Sequence, residues 1–410
     1  MKRIMTASPT SKYAVTFVFI TVLLDMVGFG MIIPVQPALI QQVAKVDLAA
    51  SAFIGGWMFF AFSSTQFLFG PTLGNLSDAY GRRPLLLIAV FGLGVDFLVT
   101  ALAPNLFWLF VGRTFAGLCG GSYVIANAYI ADLTPPEGRA KAFGMMGAAF
   151  GLGFVIGPAI GGLLGAYGPR VPFFVAAGIS LLNFVFGYFV LPETLKPEQR
   201  RGFEWARANP FGTFKVFRSY RGVLPLCAVM FVYFFASAVY PAIWPFWGIA
   251  KFGWSAEMIG ITLAIFGIIM AIVQAFLTAP AVKYFGESRL TIIGLISAVV
   301  GSIGFAAAPH FTFVAVSLFL YAPEGFVQPM LSALISKLVP DDAQGELQGG
   351  LASVMSVSML LGTLFFSQEF GYFMSGKAWF ISPNVAMYTS AAISALAAIL
   401  FVSGTRLKRV

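Results

Sequence analysis

Twelve long apolar runs, joined mostly by short polar segments, limit what this 410-residue chain can fold into. Each run reaches or approaches the ~20 residues that a helix needs to cross ~30 Å of hydrocarbon. Their unbroken apolar character favours helices over a membrane barrel, whose strands would alternate apolar and polar residues. The sequence therefore predicts an all-α polytopic membrane protein. The predicted spans are 13–36, 52–75, 84–103, 105–130, 141–166, 171–191, 222–246, 257–282, 289–308, 311–338, 347–370 and 383–404.

Composition and charge placement agree with this prediction. Only 10% of the residues are charged, which is too few to cover the surface of a water-soluble fold. A net charge of +9 would suit a nucleic-acid-binding protein, but 20 of the 25 Lys and Arg residues fall on one side of the predicted membrane. This positive-inside pattern predicts cytoplasmic termini and no nucleic-acid partner.

Residues suited to catalysis or metal binding are scarce. The chain has one His and two Cys residues, and both cysteines lie in apolar runs, where they suit packing. The acids are dispersed among the helices and are not arranged beside a nucleophile. The sequence predicts neither an enzyme nor a metal or cofactor site.

The stretch GNLSDAYGRRP, at 74–84, is a dense polar connection between two apolar runs. It predicts a tight turn between spanning helices, with Gly81 supplying backbone freedom. Asp78 can meet an arginine or a helix N-terminus at this point. An ordinary charged loop would explain Arg82 and Arg83 but not the acid and the glycines.

A hydrophilic stretch, residues 192–221, divides the spans six and six. We expect an N-terminal bundle over 1–191, a cytoplasmic central loop over 192–221 and a C-terminal bundle over 222–410. The halves are weak repeats, because KYFGESR, at 283–289, corresponds to the polar connection of the first half.

Four ionisable residues lie inside predicted spans: Asp25, Asp96, Arg113 and Glu324. Each costs on the order of 2.5–3.5 kcal/mol on insertion scales, so each requires a reason. Helix depth, at ~1.5 Å per residue, places the first three in one layer near the midplane, where they can compensate one another. Because one arginine cannot neutralise two carboxylates, Asp25 or Asp96 is expected to carry a proton. A static ion pair that fixes helix packing is the alternative.

Glu324 lies beside Pro323 and Gly325, where we expect the tenth helix to kink. Freed backbone carbonyls could share the acid's proton, which would add Glu324 to the proton-coupling residues. A structural kink with a solvated Glu explains the same sequence equally well.

The fifth apolar run contains small residues at helical spacings, which suit close packing against a neighbouring helix. They include Gly153, Gly157, Pro158, Gly161 and Gly162.

The polar connection resembles the signature loop of the major facilitator superfamily, G-x-L-x-D-x-x-G-R-R. The matching positions are Gly74, Leu76, Asp78, Gly81, Arg82 and Arg83, and Ala79 departs from the pattern. The end of the glycine stripe, GPAIGG, resembles the antiporter signature of the superfamily's exporters. LLDMVGFGMIIPVQP, GVDFL, VGRTFAGLCGG and QGELQGGLAS resemble the bacterial tetracycline/proton antiporters, and this likeness covers nearly the whole chain.

The resemblance implies the major facilitator fold, with two pseudo-symmetric six-helix bundles and a substrate site between them at the midplane. It implies functional roles for Asp25, Asp78, Asp96, Arg82, Arg113, Asp132 and Arg139. The signature loop, with Asp132 and Arg139, would act as a latch that holds the outward-facing state. Gln66 and Gln274 would line the central cavity.

The chain departs from these antiporters where they carry a histidine in helix eight and an acid in helix nine. Met270 and Ala298 occupy those positions, so we expect a substrate more lipophilic than a tetracycline–metal chelate. Other aromatic or hydrogen-bonding residues are candidates for substrate contacts, although each would also suit a core or lipid-facing position. They are Tyr123, Asn127, Tyr233, Phe234, Trp244 and Gln328.

The sequence thus predicts a monomeric inner-membrane transporter that exports small lipophilic drugs in exchange for protons by alternating access, without a cofactor. A proton-coupled transporter of a metabolite or sugar is the first alternative. A non-transporting membrane scaffold or receptor is the second.

Overall fold

The computed structural model describes residues 9–120, 122–134, 136–195, 197–204, 216–220, 222–340 and 343–406. Within these ranges it does not describe the side chains of 9–15, 123, 136, 137, 139–141, 199, 216, 218, 405 and 406. The regular structure of the described ranges is helical throughout, and twelve segments are long and apolar enough to cross a membrane. They are α1 Thr16–Ala44, α2 Leu48–Tyr80, α3 Arg82–Leu102, α4 Leu106–Leu133, α5 Ala142–Gly165, α6 Val171–Val190, α7 Val223–Phe252, α8 Ala256–Phe285, α9 Glu287–Ala307, α10 Phe311–Ser336, α11 Gln344–Met374 and α12 Val385–Gly404.

The twelve spans confirm the all-α membrane fold that the sequence predicts. Several helices continue past the predicted ends, because polar residues can prolong a helix beyond the hydrocarbon. α1 continues to Ala44 through a 3-10 turn at Ile33–Val35, where Pro34 has no N–H to donate. α2 continues through the polar residues of the signature loop as far as Tyr80.

Local sequence determines where several spans begin. Asp47 precedes α2, and its Oδ1 accepts a hydrogen bond from the N–H of Ala50 (2.8 Å). Asn105 and Ser255 cap the first turns of α4 and α8 in the same way. Each of these side chains satisfies an N–H group that the first helical turn leaves without a partner.

Two spans of the second half contain irregular turns at the depth of the membrane. α10 passes through a 3-10 segment at Ala322–Phe326, which contains Pro323. This is the irregularity that Pro323 and Gly325 predict. α8 contains a π-helical turn at Val273–Leu277, which the sequence analysis did not anticipate.

Spans α1–α6 and α7–α12 form two halves. Three apolar clusters of buried residues each lie within one half, and a fourth, in the second half, also includes Ala52 of α2. The α2–α3 turn, residues 192–204 and both described chain ends lie on one side, which we call the near side. The opposite side, with the α1–α2, α5–α6, α7–α8 and α11–α12 connections, is the far side.

The halves pack together through α2 with α11 and α5 with α8. A Cβ atom on Gly162 would lie 2.6 Å from the carbonyl oxygen of Ala256, and one on Gly371 would overlap the ring of Phe53. A hydrogen bond from Nε2 of Gln368 to the carbonyl of Phe53 (3.1 Å) joins α11 to α2. These contacts close the far side of the protein between the halves.

On the near side the same helices lie apart. Gly70 and Gly74 of α2 have no atom of a described residue within 4 Å of the place where a Cβ would project. The same holds for Gly144, Gly147 and Gly151 of α5. The two halves therefore diverge toward the near side from their contact on the far side.

Candidate functional site: a central cavity

A cavity of about 410 Å³ lies between the halves, from the middle of the spans toward their far-side ends. Its size is that of a small-molecule binding site. Its polar lining side chains include Gln36, Arg113, Ser237 and Glu324. Its aromatic lining side chains are Phe29, Phe59, Phe62, Phe150, Phe154, Tyr240, Trp244, Phe266, Phe305 and Tyr321.

Glu324, from the irregular turn of α10, is a buried carboxyl group in the cavity wall. The hydroxyl of Tyr233 donates a hydrogen bond to its Oε1, and Oγ of Ser237 lies 3.5 Å from the same oxygen. Tyr233 lies behind Glu324 and is not itself part of the lining. The structure therefore places Tyr233, a predicted substrate contact, as a partner of the acid.

Arg113 reaches the cavity from α4 in the first half. Its Nη2 pairs with Oδ2 of Asp96 on α3, which is fully buried. Oγ1 of Thr100 also donates to Oδ1 of Asp96 (3.2 Å). Gly112 allows this approach, because a Cβ at its position would lie 2.8 Å from the same carboxylate oxygen. The cation of the cavity wall is thus already neutralised by an acid behind it.

Asp25 lies outside this ion pair. It is 3% exposed, and neither of its carboxylate oxygens has a hydrogen-bond partner among the described residues. The polar side chain beside its carboxyl group is Ser122 of α4. One turn earlier on α1, Oγ1 of Thr21 donates to Oδ1 of Asn183 on α6 (3.3 Å), where Ser180 Oγ and Asn183 Nδ2 have no hydrogen-bond partner among the described residues. Of the two acids expected to share Arg113, the structure pairs only Asp96 with it.

Tyr240 and Tyr321 form a hydroxyl-bearing part of the aromatic wall. Their ring centroids are 4.8 Å apart, and the hydroxyl of Tyr240 is hydrogen-bonded to Oγ of Ser302 (2.7 Å). Trp244 lies on the same helix, where its Nε1–H donates to Oγ1 of Thr262 (3.0 Å). Sequence reasoning selected Trp244 and missed both tyrosines, although Tyr240 lies one helical turn from it.

The other residues expected to contact substrate are not part of the described lining. Gln66 donates through Nε2 to the carbonyl of Gly120 (3.0 Å), so its amide joins α2 to α4. Gln274 and Gln328 are exposed, whereas Asn127 and Phe234 are half-buried. The side chain of Tyr123 lies outside the described residues.

The glycine stripe of α5 packs against helices on two sides. A Cβ on Gly153 would lie 2.5 Å from Cβ of Met26, and one on Gly157 would lie 2.6 Å from the carbonyl of Val27. Gly161 also faces the α1 backbone. The ring of Pro158 lies against Gly30 of α1, whereas its carbonyl faces Gly260 of α8, and Gly162 faces Ala256 of α8. α5 can therefore pack closely against both α1 and α8 only because small residues occupy these positions.

Arg82 is the centre of the signature loop. Its guanidinium contacts Oδ1 of Asp78 (2.5 Å) and Oδ2 of Asp132 (3.0 Å), and its Nη1 donates to Oγ of Ser77 (2.7 Å). These contacts connect the near-side ends of α2, α3 and α4. Arg139 belongs to the helical turn before α5, and its side chain lies outside the described residues.

Glu193, which sequence reasoning missed, caps the start of α3. Its carboxylate oxygens accept hydrogen bonds from the backbone N–H groups of Arg82 (3.0 Å) and Arg83 (3.3 Å). An acid is favourable there, because the first turn of a helix carries a partial positive charge. The N–H of Arg201 also donates to the carbonyl of Asp78 (3.1 Å). The described start of the central segment thus covers the signature loop.

No cluster of three or more His, Cys, Asp or Glu side chains among the described residues could hold a metal ion. The polar lining side chains that could contact a substrate include the amide of Gln36, the guanidinium of Arg113, the carboxyl group of Glu324 and the hydroxyl group of Ser237.

Comparison with known proteins agrees with this architecture. Residues 18–243 and 226–409 match the model of the Major Facilitator Superfamily. The chain is 39% identical over 381 residues to the class C tetracycline resistance protein of Escherichia coli, which covers 92% of this chain and 95% of that protein. It is 35% identical over 356 residues to the class G tetracycline resistance protein of Vibrio anguillarum, covering 87% of this chain and 89% of that protein.

A solved structure has the same fold at low sequence identity. It is a bacterial homolog of the human lysosomal transporter Spinster, in an inward-facing and occupied conformation. The TM-score is 0.79 at 16% identity, with 98% of each chain covered.

Proposed function

Because the chain belongs to the Major Facilitator Superfamily, we propose that it is a proton-coupled secondary transporter that exports small lipophilic drugs. The observation that carries this proposal is the aromatic cavity between the halves, with one acid in its wall and other buried acids behind it. The 39% identity to a tetracycline resistance protein, over 92% of the chain, supports export as the direction of transport. On this proposal the chain is a transporter and not an enzyme.

Transport proceeds by alternating access. The far side is closed by the α2–α11 and α5–α8 contacts, while the helices diverge on the near side. With the near side in the cytoplasm, as the distribution of Lys and Arg indicates, this is an inward-facing state that admits substrate from the cytoplasm. Export then requires the far-side contacts to separate and the near side to close.

Asp25 carries the coupled proton. It has no ion-pair partner among the described residues, whereas the charge of Asp96 is balanced by Arg113. A buried carboxyl group without a counter-charge changes its protonation more readily than one held in an ion pair. Arg113 tunes the site by holding Asp96, and its loss would leave two uncompensated acids in one layer.

The signature loop acts as the near-side latch. In the inward-facing state, Arg82 is occupied within its own half by Asp78 and Asp132. Near-side closure would bring the α2–α3 turn toward the second half, where the same charges can engage new partners. Asp78, Arg83 and Arg139 complete this latch.

The protein lies in the inner membrane with cytoplasmic termini and functions as a monomer. Its partners are protons, the lipid bilayer and the small-molecule substrate, and nucleic acid has no part in its function.

Proton coupling can be tested with purified protein in liposomes, under an imposed pH gradient and with a lumenal pH dye. Tetracycline and a panel of lipophilic cationic and zwitterionic drugs would be added to wild type, Asp25→Asn and Glu369→Gln. Glu369 is a matched control, because it lies within α11 and bonds to Thr389 without lining the cavity. We expect drug-dependent proton flux in wild type and the control, and none in Asp25→Asn.

The other outcomes assign the function differently. Flux that survives in Asp25→Asn would move coupling to Asp96 or Glu324. Accumulation of a sugar or metabolite with an inward proton gradient would favour uptake. A folded protein that shows no flux with any solute would favour a scaffold or receptor.

A further inference from the structure

The cavity wall contains one charge that the described residues do not balance. Arg113 is neutralised by Asp96, which lies behind it and is fully buried. Glu324 faces the cavity, and no described Lys or Arg forms an ion pair with it. The described lining therefore carries an acid without a counter-charge, which favours a cationic occupant.

We propose that Glu324 makes the cavity selective for organic cations whose single positive charge is spread over a lipophilic body. This inference rests on the proposed export function and specifies the substrate class for the same cavity. Glu324 supplies the counter-charge, and the aromatic wall supplies the surface for the rest of the molecule.

The hydrogen bonds around Glu324 leave one oxygen available. Both described donors, the hydroxyls of Tyr233 and Ser237, are directed to Oε1. Oε2 accepts no hydrogen bond from a described residue, yet it is not among the buried polar atoms without a partner. Oε2 therefore keeps contact with the cavity. Tyr233 and Ser237 orient the carboxylate, and Oε2 is the atom that faces the cation.

The surroundings of Glu324 suit a delocalised charge. Tyr240, Trp244, Phe266 and Tyr321 line the cavity on the same half of the protein. The faces of aromatic rings attract cations, and they do so most strongly where water is excluded. A lipophilic cation can thus meet the carboxylate and the rings together.

The same wall is poorly suited to a magnesium ion or its chelate. Magnesium requires close to six oxygen ligands in octahedral geometry and usually retains several waters. Near Glu324 the cavity offers a single carboxylate, and the hydroxyl of Tyr240 is hydrogen-bonded to Ser302. Behind the acid, Met270 and Val273 pack against Gly325. An organic cation needs no such ligand set.

The proposal can be tested by equilibrium binding to the purified full-length protein in nanodiscs. The cationic probe is radiolabelled tetraphenylphosphonium, and the neutral probe is triphenylphosphine oxide, which has similar rings and no net charge. The proteins are wild type, Glu324→Gln, Glu324→Asp and Glu369→Gln. Binding is measured without a gradient, so it does not depend on whether the protein couples drug transport to protons.

We expect Glu324→Gln to weaken binding of the cation about tenfold or more, and to change binding of the neutral probe less than about twofold. Glu324→Asp should retain a preference for the cation, and Glu369→Gln should behave as wild type. Size-exclusion profiles and tryptophan fluorescence would verify that each variant is folded.

Three outcomes would overturn the proposal. The first is an unchanged affinity of Glu324→Gln for tetraphenylphosphonium. The second is an equal loss for both probes, which would assign Glu324 a structural role. The third is a failure of the wild-type protein to bind the organic cation. It includes a protein that binds neither probe and one that binds only magnesium–tetracycline, with an affinity that depends on Glu324. Failure of drug-dependent proton flux in liposomes, with charge-selective binding intact, would instead count against the proposed coupling.

Discussion

The α2–α3 and α8–α9 turns share one backbone geometry but differ in what surrounds them. Gly81 has φ 109° and ψ 156°, and Gly286 has φ 74° and ψ 163°, a region of backbone space essentially restricted to glycine. The carboxylate of Glu193 occupies the place where a Cβ on Gly81 would project. At Gly286, no atom of the described part of the chain lies within 4 Å of that place. The two halves thus repeat a turn, but only the first turn is covered.

The ion pairs beside these turns are also related, with opposite signs. In the first half, Arg82 begins α3 and pairs with Asp132 near the end of α4 (3.0 Å). In the second half, Glu287 begins α9 and pairs with Lys337 just beyond α10 (2.5 Å). The arginine side chain is 11% exposed and has further partners, whereas the lysine side chain is 65% exposed.

The membrane interior shows a third difference between the halves. The first half holds the buried pair of Arg113 and Asp96. Counting from Gly81 and Gly286, the equivalent positions of the second half are Leu318 and Gly301, and a Cβ on Gly301 would overlap Tyr321. The first half thus carries a paired buried arginine and aspartate at this depth, whereas the second half has uncharged residues at the equivalent positions.

The largest effect is expected from breaking the buried ion pair. Arg113→Leu leaves Asp96 without its partner, which should lower the free energy of unfolding by about 3–5 kcal/mol. Leu318→Met, at the equivalent position of the second half, should cost less than about 1.5 kcal/mol. Thermal unfolding in detergent would compare them. Equal melting temperatures for the two variants would contradict the idea that the buried ion pair stabilises the first half.

Replacing Gly81 and Gly286 by alanine, one at a time, distinguishes the cost of backbone strain from the cost of crowding against a neighbouring side chain. Gly286→Ala should cost on the order of 1–3 kcal/mol of folding free energy, because its backbone conformation is unfavourable for alanine. Gly81→Ala carries the same strain and must also displace Glu193, so its melting temperature should fall further. Adding Glu193→Ala to Gly81→Ala removes the crowding. Because Glu193→Ala also removes the cap of α3, the test is a double-mutant cycle, in which Glu193→Ala should cost less in the Gly81→Ala background than in wild type. An equal cost in both backgrounds would contradict the crowding of Gly81 by Glu193.

Removing the cap of α3 should have a smaller effect. Glu193→Ala deprives the N–H groups of Arg82 and Arg83 of their acceptor, at an expected cost of about 0.5–2 kcal/mol. Hydrogen exchange measured by mass spectrometry should show faster exchange in the first turn of α3. Peptides from the start of α9 provide the internal reference and should be unchanged.

The smallest effect is expected at the exposed pair of the second half. Glu287→Gln should cost about 0–1 kcal/mol, and the Glu287→Lys/Lys337→Glu exchange should leave stability and transport close to wild type. The Arg82→Asp/Asp132→Arg exchange should fail, because Asp78 and Ser77 also require an arginine at 82. Drug transport in vesicles would measure both. Equal tolerance of the two exchanges would argue against the latch.

Local sequence determined the twelve spans, the glycine turns and the irregular turn of α10. Hydropathy, backbone freedom and proline chemistry act within a few residues, so they can be read without knowing the partner helix. The charges inside the membrane were equally visible, because any ionisable group in a span requires compensation. The depth of Asp25, Asp96 and Arg113 was sufficient to expect that the arginine compensates an acid of the same layer, but not which one.

Only the tertiary structure decided which groups meet. The depth of a residue leaves the rotation of its helix open, so Asp25 and Asp96 were equal candidates for Arg113, and packing assigned Asp96 to it. Rotation also directs Gln66 toward a backbone carbonyl and places Tyr240 in the cavity wall. Glu193 caps α3 across more than a hundred residues of chain, a contact that no local pattern specifies.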